Sequence, residues 1–153
     1  MYDISLTDLP AQPAVVVRDK VKLEEISKWM GEALGEVAGF LAVLRREPTG
    51  PPFTRYFSMN GEFDLEAGFP VRTEVSGVGR TEASELPACR AVMTMHVGPY
   101  ETLHEAHEAL QGWAAGHNYE ANGAPWEVYV TDPNEQPDPS TRRTEVVRPY
   151  KNN

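Results

Sequence analysis

Leu9-Pro10-Ala11-Gln12-Pro13-Ala14-Val15-Val16-Val17 returns later in the chain as Leu86-Pro87-Ala88-Cys89-Arg90-Ala91-Val92-Met93-Thr94. Each copy is a proline break followed by a short run suited to a strand, and a segment with helical period follows each. Further on, Gly50-Pro51-Pro52-Phe53-Thr54-Arg55-Tyr56 is echoed by Gly123-Ala124-Pro125-Trp126-Glu127-Val128-Tyr129. A repeat this long that occurs twice is not a solenoid, which stacks at least about three short units. It predicts a duplicated α+β module, with halves at about residues 3–75 and 79–150 inside a single domain spanning 1–153.

The rest of the chain fits that frame. Residues 3–9 alternate in polarity, as a half-buried strand does. Pro10 and Pro13 interrupt them, and 14–18 is a second strand. From Val21 the period lengthens. Leu23, Ile26, Trp29/Met30, Ala33/Leu34, Val37, Phe40/Leu41 and Leu44 recur every three to four positions, which predicts an amphipathic helix. Glu24 and Glu25 at its start and Arg45 and Arg46 at its end suit the helix dipole. Strands are expected over 53–59, 63–69 and 71–75, with Asn60-Gly61 as a turn. The second half repeats the order: strands over 79–85 and 90–96, then a helix opened by Gly98-Pro99. That helix carries Leu103, Ala106/His107, Leu110 and Trp113/Ala114 on its apolar face. A strand over 126–131, a proline-rich loop over 134–140 and a last strand over 142–147 follow.

Composition narrows the function. A net charge of −9 argues against direct nucleic-acid binding, which calls for a basic stripe. The single cysteine, Cys89, forms no intramolecular disulfide and fits a reducing compartment. There is no apolar leader and no run approaching about 18 apolar residues. The expectation is a cytoplasmic protein with no membrane partner. No glycine-rich phosphate loop and no nucleophile elbow occurs, so no cofactor is expected. His104 and His107 have a spacing that could hold a metal, but no further cysteine or histidine cluster supports it, and none is expected there.

Side chains alternate faces along a strand. Trp126, Val128 and Val130 therefore point one way and Glu127 and Tyr129 the other. In the related strand, Phe53 and Arg55 oppose Thr54 and Tyr56. If the halves pack about a pseudo-two-fold axis, Thr54, Tyr56, Glu127 and Tyr129 can line one cleft. A carboxylate among aromatics is costly to desolvate, and a cationic or strongly hydrogen-bonding ligand relieves that cost. The plainer alternative is a solvated Glu127 or one paired with Arg142 or Arg143. His96, at a strand end before Gly98-Pro99-Tyr100, is a candidate acid or base or a structural residue.

Three blocks now stand out: His96-Val97-Gly98-Pro99-Tyr100-Glu101-Thr102-Leu103, Gly123 to Pro133 around Trp126-Glu127-Val128-Tyr129, and Thr144-Glu145-Val146-Val147-Arg148-Pro149. With Pro52-Phe53-Thr54-Arg55-Tyr56 and Glu66-Ala67-Gly68-Phe69-Pro70-Val71, they resemble the GyrI-like small-molecule-binding family. That family is related to the effector-binding domains of AraC-type and MerR-type regulators. The resemblance implies two strand–helix–strand–strand (SHS2-like) modules forming a curved antiparallel sheet, with two main helices and a cleft between them. It implies that Glu127 meets cationic or amphipathic ligands, with Tyr56 and Trp126 lining the same cleft. Tyr129, Thr54, Phe53 and His96 complete the expected ligand-binding set. No helix-turn-helix segment accompanies the domain in this sequence, so DNA binding by this chain alone is not expected.

Three functions are compatible with that resemblance. One is a stand-alone module that senses or sequesters cationic, lipophilic or aromatic compounds. Another is a hydrolase opening strained electrophiles such as cyclopropane-containing toxins, with Glu127 as general base and Tyr56 as acid or orienting group. The third is a protein-interaction role such as inhibition of DNA gyrase.

Overall fold

The computed structural model describes residues 2–58, 61–131 and 138–152. Its elements run β1 (Ser5–Leu9), β2 (Gln12–Val21), α1 (Ile26–Val43), β3 (Phe53–Ser58), β4 (Phe63–Pro70), β5 (Thr81–Leu86), β6 (Cys89–Val97), α2 (Leu103–Gly116), β7 (Tyr119–Ala121), β8 (Trp126–Tyr129) and β9 (Arg143–Asn152). The paired strands are antiparallel. The fold is therefore α+β with two main helices, as the duplication predicts. Much of the 134–140 loop and Asn60 of the expected turn lie outside the described residues.

The chain divides into two compact units. One is continuous, Ala11–Pro87; the other joins Met1–Pro10 to Ala88–Asn153. The sequence repeat does not mark these boundaries. β1 opens the first repeat but pairs with β6, and β5 opens the second repeat but pairs with β2. Each repeat thus gives its first strand to the other's unit.

In the Ala11–Pro87 unit the strand order is β3-β4-β2-β5. Trp29, Ala33, Val37 and Leu41 fall four apart on α1 and are all buried. They pack on Val15 and Val17 of β2 and Leu65 and Ala67 of β4. Each large apolar side chain so buried contributes about 1.5–3 kcal/mol. The ends of the expected stripe lie outside this core: Leu23 is 66% exposed, in a short 3-10 turn before α1, and Leu44 is 44% exposed. The strand expected over 71–75 is absent. Pro70 closes β4, the Val71 N–H turns to the Pro13 carbonyl at 2.9 Å, and Val71 and Val75 are buried as loop anchors. Gly68 allows β4 to lie close on β2, since a Cβ there would meet the Val15 carbonyl oxygen at 1.9 Å.

In the other unit the order is β1-β6-β9-β8, and β7, a strand not expected from the sequence, pairs with β9. α2 sets Leu103, Ala106, Leu110 and Ala114 against Val92 of β6 and Val146 and Tyr150 of β9. Pro99 precedes a 3-10 turn that leads into α2. Asn118, with φ of 61°, sits in the left-handed conformation that follows helix ends. β9 runs longer than the expected 142–147, because Tyr150–Asn152 carries on to meet β7.

Candidate functional site

The register of β8 decides which way Glu127 points. Glu127 lies opposite Val146 and Tyr129 opposite Thr144. Directly opposed residues share a face, and Val146 belongs to the α2 core. Glu127 and Tyr129 therefore face α2. Trp126, 3% exposed, lies on the other face of the strand.

Glu127 is 5% exposed. The Tyr129 hydroxyl donates to its Oε1 at 3.1 Å, and His107 Nε2 of α2 lies 2.8 Å from its Oε2. Behind the imidazole, Arg148 of β9 brings a guanidinium nitrogen to 2.9 Å from His107 Nδ1. The Tyr129 ring meets Tyr100 edge to face at 5.7 Å, and the Arg142 guanidinium lies 4.9 Å from the Tyr100 centroid. Thr144, fully buried beside Tyr129, has a hydroxyl with no hydrogen-bond partner among the described residues.

His96 shares this face, being opposite Thr144, and is 3% exposed. Both of its nitrogens are engaged. Tyr2 OH lies 2.9 Å from Nδ1, while Thr102 Oγ1 and the Pro99 carbonyl lie 2.9 and 3.2 Å from Nε2. Gly98, at φ 141°, lets the chain turn against that ring. His104 and His107 do not converge. His104 is exposed beside the Glu101 carbonyl, and no group of three potential metal ligands gathers among the described residues.

The remaining expected residues belong to the Ala11–Pro87 unit. Thr54 and Tyr56 lie opposite Ala67 and Leu65, on the face that carries α1. Thr54 is fully buried, and its hydroxyl has no hydrogen-bond partner among the described residues. Phe53, 1% exposed, lies on the reverse face. That face also holds Glu66, 3% exposed, with the Ser84 hydroxyl 3.0 Å from both carboxylate oxygens. Burial pushes the Glu66 carboxyl up, against the opposing effect of Ser84, Arg55 and Arg18.

The sequence singled out Glu127 and Tyr129. It did not pair Glu127 with His107, although a histidine on an otherwise apolar helix stripe was a usable signal. Arg148 stood in the family-like block from Thr144 to Pro149 without a role of its own, and its inward direction follows from its pairing with Val92.

The sequence matches the GyrI-like small molecule binding domain over residues 2–151, and the chain belongs to that family. No curated protein matches it. Among solved structures it is similar to the EcmrR C-terminal domain, with 22% identity and a TM-score of 0.84 over 100% of this chain and 99% of that one. In the EcmrR–DNA complex the similarity has a TM-score of 0.85 at 22% identity, over 99% of this chain, and this chain spans 58% of the EcmrR chain. It is also similar to SAV2435 bound to tetraphenylphosphonium (11% identity, TM-score 0.70, 97% of this chain and 94% of that one). A hydrolase encoded by lin2189 from Listeria innocua shares 13% identity at a TM-score of 0.70, over 97% and 92% of the two chains. No helix among the described residues is long and apolar enough to cross a membrane.

Proposed function

We propose that this domain binds lipophilic organic cations, with Glu127 as the charge-bearing contact and Tyr129 beside it. The observation that carries this reading is a carboxylate only 5% exposed, held by the Tyr129 phenol and beside the His107 imidazole on the α2-facing side of β8. Burying such a charge costs several kcal/mol after relaxation. A ligand cation offsets that cost, and aromatic faces add about 0.5–2 kcal/mol each. The tetraphenylphosphonium bound to SAV2435 supports the choice of ligand class.

Titration with tetraphenylphosphonium, followed by calorimetry, tests the reading. Glu127→Gln is expected to weaken binding at least about tenfold, a loss of about 1.4 kcal/mol. The uncharged triphenylphosphine oxide is expected to bind the native protein more weakly than the phosphonium. Equal affinity of the native and Glu127→Gln proteins for the phosphonium would defeat the proposal.

Hydrolysis of strained electrophiles is the second reading, and the lin2189 hydrolase supports it. It asks more of Glu127, which must take a proton from water while keeping its Tyr129 and His107 contacts. The geometry therefore favours binding over turnover. Product exceeding one equivalent of protein, from a panel of cyclopropane-containing electrophiles, would reverse that preference.

A further inference from the structure

A strand with one buried face sets its apolar side chains inward and its polar ones outward. At one end of the unit that carries α2 this order is reversed. On β6, Thr94 and His96 are buried on the α2 side, while Met95 and Val97 point the other way and are 39% and 59% exposed. On β8, Glu127 and Tyr129 are buried on the α2 side, while Val130, just past the strand, is 42% exposed. The inward polar groups belong to the candidate site. The outward apolar ones have no part in it.

Register gathers these side chains into one patch of two rows. Glu145 of β9 lies between Met95 of β6 and Val128 of β8. Two residues back along β9, Arg143 lies opposite Val97, and its carbonyl accepts from the Val130 N–H at 3.1 Å. All of them alternate against Val146, which faces α2. The patch is therefore a base and an acid in file, flanked on each side by apolar residues. Contiguous exposed apolar surface marks an interaction site, whereas scattered single residues do not. Among the described residues neither Arg143 nor Glu145 forms an ion pair.

We propose that this face of β6, β9 and β8 is a dimer interface, and that its occupant is the same face of a second copy of the chain. The pattern is complementary to itself about an axis across the strands. A two-fold axis lying in the interface and crossing β9 at Thr144 sets Arg143 of one protomer over Glu145 of its partner, and the reverse. The same axis sets Val97 over Met95 and Val130 over Val128, so apolar meets apolar. An axis along the strands would instead stack arginine on arginine and glutamate on glutamate.

Pairing of identical patches about a two-fold axis is the commonest form of soluble oligomer. Sheets packed face to face lie about 10 Å apart, within the combined reach of an arginine and a glutamate. Burial pushes the Glu145 carboxyl up, and a guanidinium arriving from the partner favours its charged form. A basic peptide or a small cation would satisfy Glu145 but repel Arg143, so a second copy fits the patch better. The patch lies on the opposite side of β8 from Glu127, and the inference is independent of the ligand reading.

Sedimentation velocity of the full chain at about pH 8, above the ordinary carboxyl range, tests the proposal. The native protein is expected to dimerise with a dissociation constant in the micromolar range. Arg143→Glu sets acid against acid on both sides of the axis and is expected to weaken dimerisation at least about tenfold. Combining Arg143→Glu with Glu145→Arg restores opposite charges across the axis and is expected to return the constant to within about threefold of native. Val97→Asp is expected to leave the protein monomeric. Native protein that stays monomeric up to about 1 mM overturns the proposal. So does an Arg143→Glu protein that dimerises like native, or a folded double variant as weak as the single one. Circular dichroism confirms folding, and Arg143→Glu, at an exposed position, carries the decision if the double variant does not fold.

Discussion

Two buried carboxylates show how differently one residue type can be used. Glu127 accepts from the Tyr129 hydroxyl and lies against the His107 imidazole, whereas Glu66 meets chiefly the Ser84 hydroxyl and is pushed up by burial. A carboxyl raised in the folded state favours folding below its unfolded pKa of about 4.3. That contribution is lost as pH rises through the folded value. Glu66→Gln mimics the protonated form and can still accept from Ser84. Thermal melts are expected to show it more stable than native by a few degrees at about pH 7.5. The gain should vanish near pH 4, and an equal gain at both pH values would contradict this account. At this scale the sequence was informative where the two repeats differ. Comparing Thr54 with Glu127 exposed the unusual acid, and strand alternation placed Tyr129 beside it. The meeting of His107 and Arg148 with Glu127 stayed hidden because it depends on register across β9, which no local pattern encodes.

The helices were the most legible elements. A stripe with period near 3.6 has one way to face a sheet, and Trp29, Ala33, Val37 and Leu41 took it. The same holds for Leu103, Ala106, Leu110 and Ala114. Leu110→Ala, at a fully buried site, is expected to cost about 2–5 kcal/mol in denaturant unfolding. Strand ends were less legible. Residues 71–75 set Val71, Thr73 and Val75 on one side of an extended chain, yet Pro70 ended the ladder and left Val71 and Val75 to anchor a loop. Gly68 is the position where β4 tolerates no side chain. Because the atom a Cβ would strike is backbone of β2, relaxation of one side chain does not relieve it. Gly68→Ala should therefore destabilise by more than the roughly 1 kcal/mol of a typical substitution, and an unchanged unfolding midpoint would refute the close approach.

For the whole molecule, the duplication correctly indicated α+β modules but not how strands are shared. Local periodicity identifies a strand and says nothing about its partner. β1 joins β6 and β5 joins β2, so neither repeat contains all the strands of one unit. A cut in the exposed turn near Ser76 gives two fragments, each missing one strand of its sheet. Expressed separately they are expected to remain largely unfolded by NMR, and to regain the native spectrum when coexpressed. A well-dispersed spectrum from either fragment alone would show that the shared strands are dispensable.

Asp8 of β1 finds its partner Arg90 82 positions further on. Ribosomes add about 5–20 residues per second. For several seconds of its synthesis, the first strand is therefore a tether without a dock, while the Ala11–Pro87 unit it precedes can begin to form behind it. Whatever binds β1 in that interval competes directly with completion of the unit that holds Glu127.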